Sequence, residues 1–160
     1  MAALATEPLS DQFQQIPGTT VAGFCEAFDA WKAGFPDTEH TSFLFGKDGA
    51  YATPTVDGKR YVLRHVHLVP LHDQTALQKW LALYQLGMTK GHWTRRTSNR
   101  VLIYATRSLA GGGEAHLLMY ILNEPDAHEI ALMKTAGDRR FMEQFATCAA
   151  AFIHDGTVDL

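Results

Sequence analysis

His65 and His67, separated by one residue, stand in the run KRYVLRHVHLV (59–69). The run is rich in β-branched residues and reads as a strand. Alternation along it puts Tyr61, Leu63, His65, His67 and Val69 on one face, and Val62, Arg64, Val66 and Leu68 on the other. Two imidazoles on one strand face are the sharpest chemical signal in the chain, because a histidine both accepts and delivers a proton near neutral pH. A second signal is KGHWTRRTSNRVLIYATR (90–107), a cationic loop feeding an apolar strand. Arginine is planar, permanently charged and a bidentate donor, so a fixed cationic rim suits phosphate. Arg95 and Arg96 are the phosphate-clamp candidates, with Arg64, Lys90 and Arg100 as further cations. Thr97, Ser98 and Asn99 supply hydrogen bonds to phosphate or sugar. Trp93 either stacks on a base or packs. Tyr104 stacks on a base, assists proton transfer or is a half-buried strand tyrosine. Each of these residues also has a plain structural reading, since charge runs are commonly solvated and histidines commonly satisfied by backbone.

The elements that must position these groups follow from periodicity. Residues 1–18 are polar, end in Pro17-Gly18 and read as a flexible N-terminus. Thr19 or Thr20 caps a helix to about Gly34, with Val21, Phe24, Cys25, Phe28 and Trp31 on its apolar stripe. Residues 36–58 read as a long connection containing FGKDGAY (45–51), in which Asp48 orients a histidine or an arginine or caps a turn. A helix follows the 59–69 strand, from about Gln74 to Gln85. The cationic loop leads to a strand at 100–106, a Gly111-Gly112-Gly113 connection and an apolar strand, AHLLMYIL (115–122), expected to be central in a sheet. A short helix from Ala127 to about Thr135 and a final one from Arg139 to Ile153 complete the chain. The expectation is an α+β fold, a small antiparallel sheet packed by helices, with one domain over 19–155.

The net charge of −3 conceals a division. Residues 57–107 carry nine basic and two acidic side chains, whereas both flanks are acidic. Such asymmetry allows one face to steer a polyanion while the rest keeps the protein in solution. No apolar run approaches the ~20 residues that span a bilayer, and the N-terminal residues lack the pattern of a secretory signal, so no membrane is expected and the location is read as cytoplasmic. Cys25 and Cys148 lie far apart and read as buried free thiols. The chain has no HExxH, no CxxC and no Asp/Glu cluster beside its histidines, so neither a metal nor another cofactor is expected.

The ordered segments FGKDGAY (45–51), RHVHLVP (64–70), RRTSNRVLIYA (95–105), HLLMYIL (116–122) and EPDAHEIA (124–131) resemble the YafO family of toxins from bacterial type II toxin–antitoxin modules. The resemblance covers about Phe35 to Phe152. That family is similar to RelE-like mRNA interferases, which have a compact antiparallel sheet packed by helices. The acidic flanks depart from the strongly basic RelE-type surface. The resemblance implies a ribosome-dependent endoribonuclease that cuts messenger RNA and is silenced by a cognate antitoxin protein. The alternative is a non-catalytic RNA- or protein-binding module of the same fold.

Metal-free RNA cleavage by the 2′-hydroxyl needs a base for that hydroxyl, charge stabilisation at phosphorus and an acid for the 5′ oxygen. The expected catalytic residues are His65, His67, Arg96, Tyr104 and His128. His128, in EPDAHEIA, is a third acid/base candidate or fixes the start of its helix. Sequence spacing leaves open which of these groups converge.

Overall fold

The computed structural model describes residues 3–160. A five-stranded sheet is formed by β1 (Leu4–Ala5), β2 (Phe45–Ala50), β3 (Arg64–Leu68), β4 (Val101–Ser108) and β5 (Glu114–Leu122), in the order β1-β5-β4-β3-β2. Neighbouring strands are antiparallel except for β1, which runs parallel to β5. Five helices complete the α+β fold: α1 (Glu7–Gln14), α2 (Val21–Ala33), α3 (Gln74–Lys90), α4 (Ala127–Ala131) and α5 (Ala136–Asp155).

The helices divide the core into two layers. Met142, Phe145, Ala146, Ala149 and Phe152 of α5 pack on Val101, Ile103, Leu117 and Met119. Leu9 and Phe13 of α1, with Cys25, Phe28 and Trp31 of α2, pack on the opposite face against Phe45, Val66, Leu102, Tyr104 and Leu118. Strand alternation produces this division, since successive side chains leave opposite faces of a pleated strand. Both cysteines are free and buried.

Three expectations are corrected. Residues 1–18 are not loose within the described range. Thr6 caps α1 through its hydroxyl, which accepts from the Leu9 amide, and its own amide donates to the Leu118 carbonyl at 3.0 Å. The Gln12 side chain extends β5 as a strand would, donating to the Ile121 carbonyl and accepting from the Ile121 amide, each at 2.9 Å. The reading of this stretch as polar overlooked Leu9 and Phe13, which are buried at helical spacing. The 36–58 connection contains β2, whose short glycine-interrupted sequence FGKDGA gives no alternation signal because the ladder is irregular between Phe45 and Asp48. Helix α3 also continues past Gly87 to Lys90, ending at left-handed Gly91.

Candidate active site

The strand register brings His65 and His67 of β3 opposite Ile103 and Val101 of β4, on one face of the sheet. Together with Tyr51, Ser98, Asn99, Ala127 and His128 they line a cleft of about 260 Å³. The His65 ring stacks on Tyr51 (centroids 4.1 Å apart, planes 17° apart) and meets His67 edge-on at 5.7 Å. His67 Nδ1 lies 2.7 Å from the Ser98 carbonyl oxygen and 3.1 Å from the Ser98 amide nitrogen; in the tautomer that the shorter contact favours, Nδ1–H donates to the carbonyl and Nε2 keeps its lone pair. Asn99 reaches the opposite wall of the cleft. Its Oδ1 accepts from the His128 amide at 2.8 Å and its Nδ2 donates to the Pro125 carbonyl, which fixes the start of α4.

Burial sets the electrostatics of the pair. Desolvation, reinforced by the charge on His67, lowers His65 to about 4, and its Nδ1 is buried without a hydrogen-bond partner. Desolvation also lowers His67, against the opposing pull of its bond to Ser98. His128, exposed on α4, is near enough for its charge to lower His67 further. A neutral imidazole with one nitrogen tethered and the other free suits proton acceptance.

The remaining candidates separate from this cleft. Arg64 and Tyr104 occupy the other face of the sheet. Tyr104 is fully buried, donates to Asp48 Oδ1 at 2.5 Å and accepts from Arg64 Nε at 3.0 Å. Lys32 and Arg64 approach Asp48 Oδ2 at 2.7 and 3.1 Å. Burial would raise Asp48, but the charge and hydrogen bond of Lys32, with Tyr104 and Arg64, hold it below the usual carboxylate range. Burial and the Asp48 charge push Tyr104 upward, so its hydroxyl is a structural donor enclosed in a polar network. It cannot stack on a base or exchange protons with the histidine cleft.

Arg96 and Arg100 are not on the rim either. Arg96 is 1% exposed; its guanidinium lies over the rings of Trp80 and Tyr84 and donates to the carbonyls of His40 and Ser42. Arg100 is buried, donating to Asn123 Oδ1 and the Val69 carbonyl. Trp93 lies against Gly87 and edge-on to Tyr84. Lys90, Arg95 and Thr97 are exposed, and Arg95 stands 3.9 Å from Glu39. A planar cation buries readily when its face finds aromatic rings, and the sequence spacing from Trp80 and Tyr84 to Arg96 does not reveal that meeting.

Tyr51 was missed as an individual site residue, although it stands in the quoted FGKDGAY segment. Tyr51 enters the cleft because β2 pairs with β3, placing Gly49 opposite His65. Among the described residues, no group of three or more His, Cys, Asp or Glu is arranged to hold a metal.

No curated protein and no solved structure matches the chain. The family model described as Toxin YafO, type II toxin–antitoxin system, matches residues 30–154, a span that includes every wall of the cleft. The chain therefore belongs to the YafO family of type II toxin–antitoxin toxins.

Proposed function

We propose that this toxin is an endoribonuclease that cleaves messenger RNA on the ribosome, with its chemistry in the His65–His67–His128 cleft. The observation that carries the reading is the convergence of three histidines, one with a tethered Nδ1 and a free Nε2, from two separate elements. His67 Nε2 takes the proton of a ribose 2′-hydroxyl. The 2′ oxygen then forms its bond to the adjacent phosphorus while the bond from phosphorus to the 5′ oxygen breaks. His128, exposed on the opposite wall, delivers a proton to that departing oxygen. The products are a 2′,3′-cyclic phosphate and a 5′-hydroxyl, and no metal takes part. Neutral His65, packed between Tyr51 and His67, holds the His67 ring in place and keeps a second cation away from it. The reading calls for a single-stranded messenger, whose nucleotides can be splayed out one at a time. Family membership supports a cognate antitoxin as the silencing partner.

The test is primer extension on a reporter messenger, with purified protein and with or without programmed ribosomes. Discrete cuts only with ribosomes are expected, and His67→Ala should lower their rate by about 10²–10⁴-fold while leaving the melting temperature intact. Cuts on naked RNA would remove the ribosome from the reading. A folded, antitoxin-free protein that cuts neither would replace it with the non-catalytic binding module.

A further inference from the structure

With Arg96 and Arg100 buried, the histidine cleft lacks the cation first expected to face phosphate. Lys47 is an exposed cation across the β2–β3 ladder from His67. It lies on β2 in the irregular stretch between the Phe45–Leu68 and Asp48–Val66 pairs, one residue before Asp48. Asp48 faces the α2 side, while Gly46 and Lys47 together oppose His67 in this bulge, which sets Lys47 across the ladder from the histidine. Its charge acts on both His65 and His67. The residue is exposed, and among the described residues no carboxylate pairs with it.

The backbone beneath Lys47 is fixed, although the side chain is free. Its amide donates to the Arg96 carbonyl at 2.8 Å. Gly46 permits that approach, since a Cβ there would run into the Arg96 carbonyl and the Trp80 ring. Arg96 is itself held by Trp80 and Tyr84. An unpaired ammonium on a rigid base beside two neutral imidazoles has one evident class of ligand, a phosphodiester bridging two ribonucleotides.

We infer that Lys47 is the phosphate ligand of the cleft, neutralising the scissile phosphodiester while His67 and His128 move the protons. The inference rests on the ribonuclease reading above. The ammonium makes or breaks no bond; it opposes the charge that builds on the non-bridging phosphate oxygens as the 2′ oxygen attacks.

Two measurements test it. The first is cleavage of a reporter messenger on programmed ribosomes by wild type, Lys47→Gln, Lys47→Arg and Lys59→Gln. The last removes an exposed cation on a turn away from the cleft. Lys47→Gln is expected to lose about a hundredfold in rate, Lys47→Arg to recover most of it, and Lys59→Gln to stay within about twofold of wild type. The second is binding of a single-stranded oligonucleotide carrying 2′-deoxyribose at every position, which cannot be cut by this route. Wild-type affinity should fall with salt more steeply than that of Lys47→Gln, by about 0.7 in the logarithmic slope, the value of one phosphate contact. Equal cleavage and equal slopes for wild type and Lys47→Gln would overturn the assignment of Lys47 alone. Equal losses in Lys47→Gln and Lys59→Gln would also overturn it, leaving general steering instead. A wild type that cuts no RNA would overturn the ribonuclease reading and Lys47's role in catalysis together, whatever the oligonucleotide slopes.

Discussion

At the scale of single residues, a group's worth depends on the face of the sheet it leaves from. Arg64 and His65 are chain neighbours, yet one joins the Asp48–Tyr104–Lys32 network and the other the cleft. The pairing of His65 with His67 was legible because a period of two is unambiguous in a strand. The burial of Arg96 and Arg100, and the partners of the strand tyrosine Tyr104, were not, because they depend on Trp80, Asn123 and Asp48, whose positions come from tertiary packing. His65 carries a consequence for pH. Its folded value of about 4 lies below the ordinary 6.5, so the unfolded chain binds its proton more readily. Its contribution to stability is therefore complete above about pH 6.5 and is lost as pH falls towards 4, amounting to no more than about 3 kcal/mol before solvent screening is allowed for. Denaturant titrations between pH 7 and 4 should show this decline in the wild type and a flatter curve in His65→Phe, which keeps a ring against Tyr51. Parallel curves for the two proteins would contradict the role given to burial.

At the scale of elements, the stretch from Arg96 to Asn99 acts as a frame. The Arg96 carbonyl holds the Lys47 amide, the Ser98 carbonyl holds the His67 ring, and the Asn99 side chain holds the His128 amide. The sequence marked this loop as important for its charges, whereas its main chain and one amide side chain do the positioning. Strand β2 escaped notice for a related reason: a bulge and two glycines erase the alternation by which a strand is recognised. Gly46 is the contact point between β2 and the frame. Gly46→Ala should force them apart, costing about 1–3 kcal/mol as an overpacking change and lowering RNA cleavage by more than the stability loss explains. Chemical denaturation and the ribosome cleavage assay on the same preparation check this. A variant with wild-type values in both would show that the approach is not tight.

For the molecule as a whole, the sheet is a wall with separate tasks on its two sides. The family match begins at residue 30, yet β1, α1 and most of α2, which cover the side away from the histidines, precede it. No described helix is long and apolar enough to cross a membrane. The three main strands and the helices around them could be read from periodicity, but the docking of the first residues could not, since Leu9 and Phe13 are two apolar positions in a polar stretch. Their burial contributes roughly 3–6 kcal/mol, a large share of a typical folding free energy of about 5–15 kcal/mol. Removal of residues 1–18 should therefore yield a chain that melts far below the full-length protein or aggregates, as read by circular dichroism and size-exclusion chromatography. An unchanged melting curve would make α1 dispensable.

The frame from Arg96 to Asn99 also bears on how the protein breathes. Amide protons of Lys47 and His128, far apart in sequence, are both given to acceptors within four consecutive residues. If that segment lifts, both are released to solvent at once, and the His67 ring loses its tether in the same event. Hydrogen exchange at these amides would then report a single opening rather than independent local ones. An agent that levers out this one segment would scatter the histidines of the cleft without ever entering it.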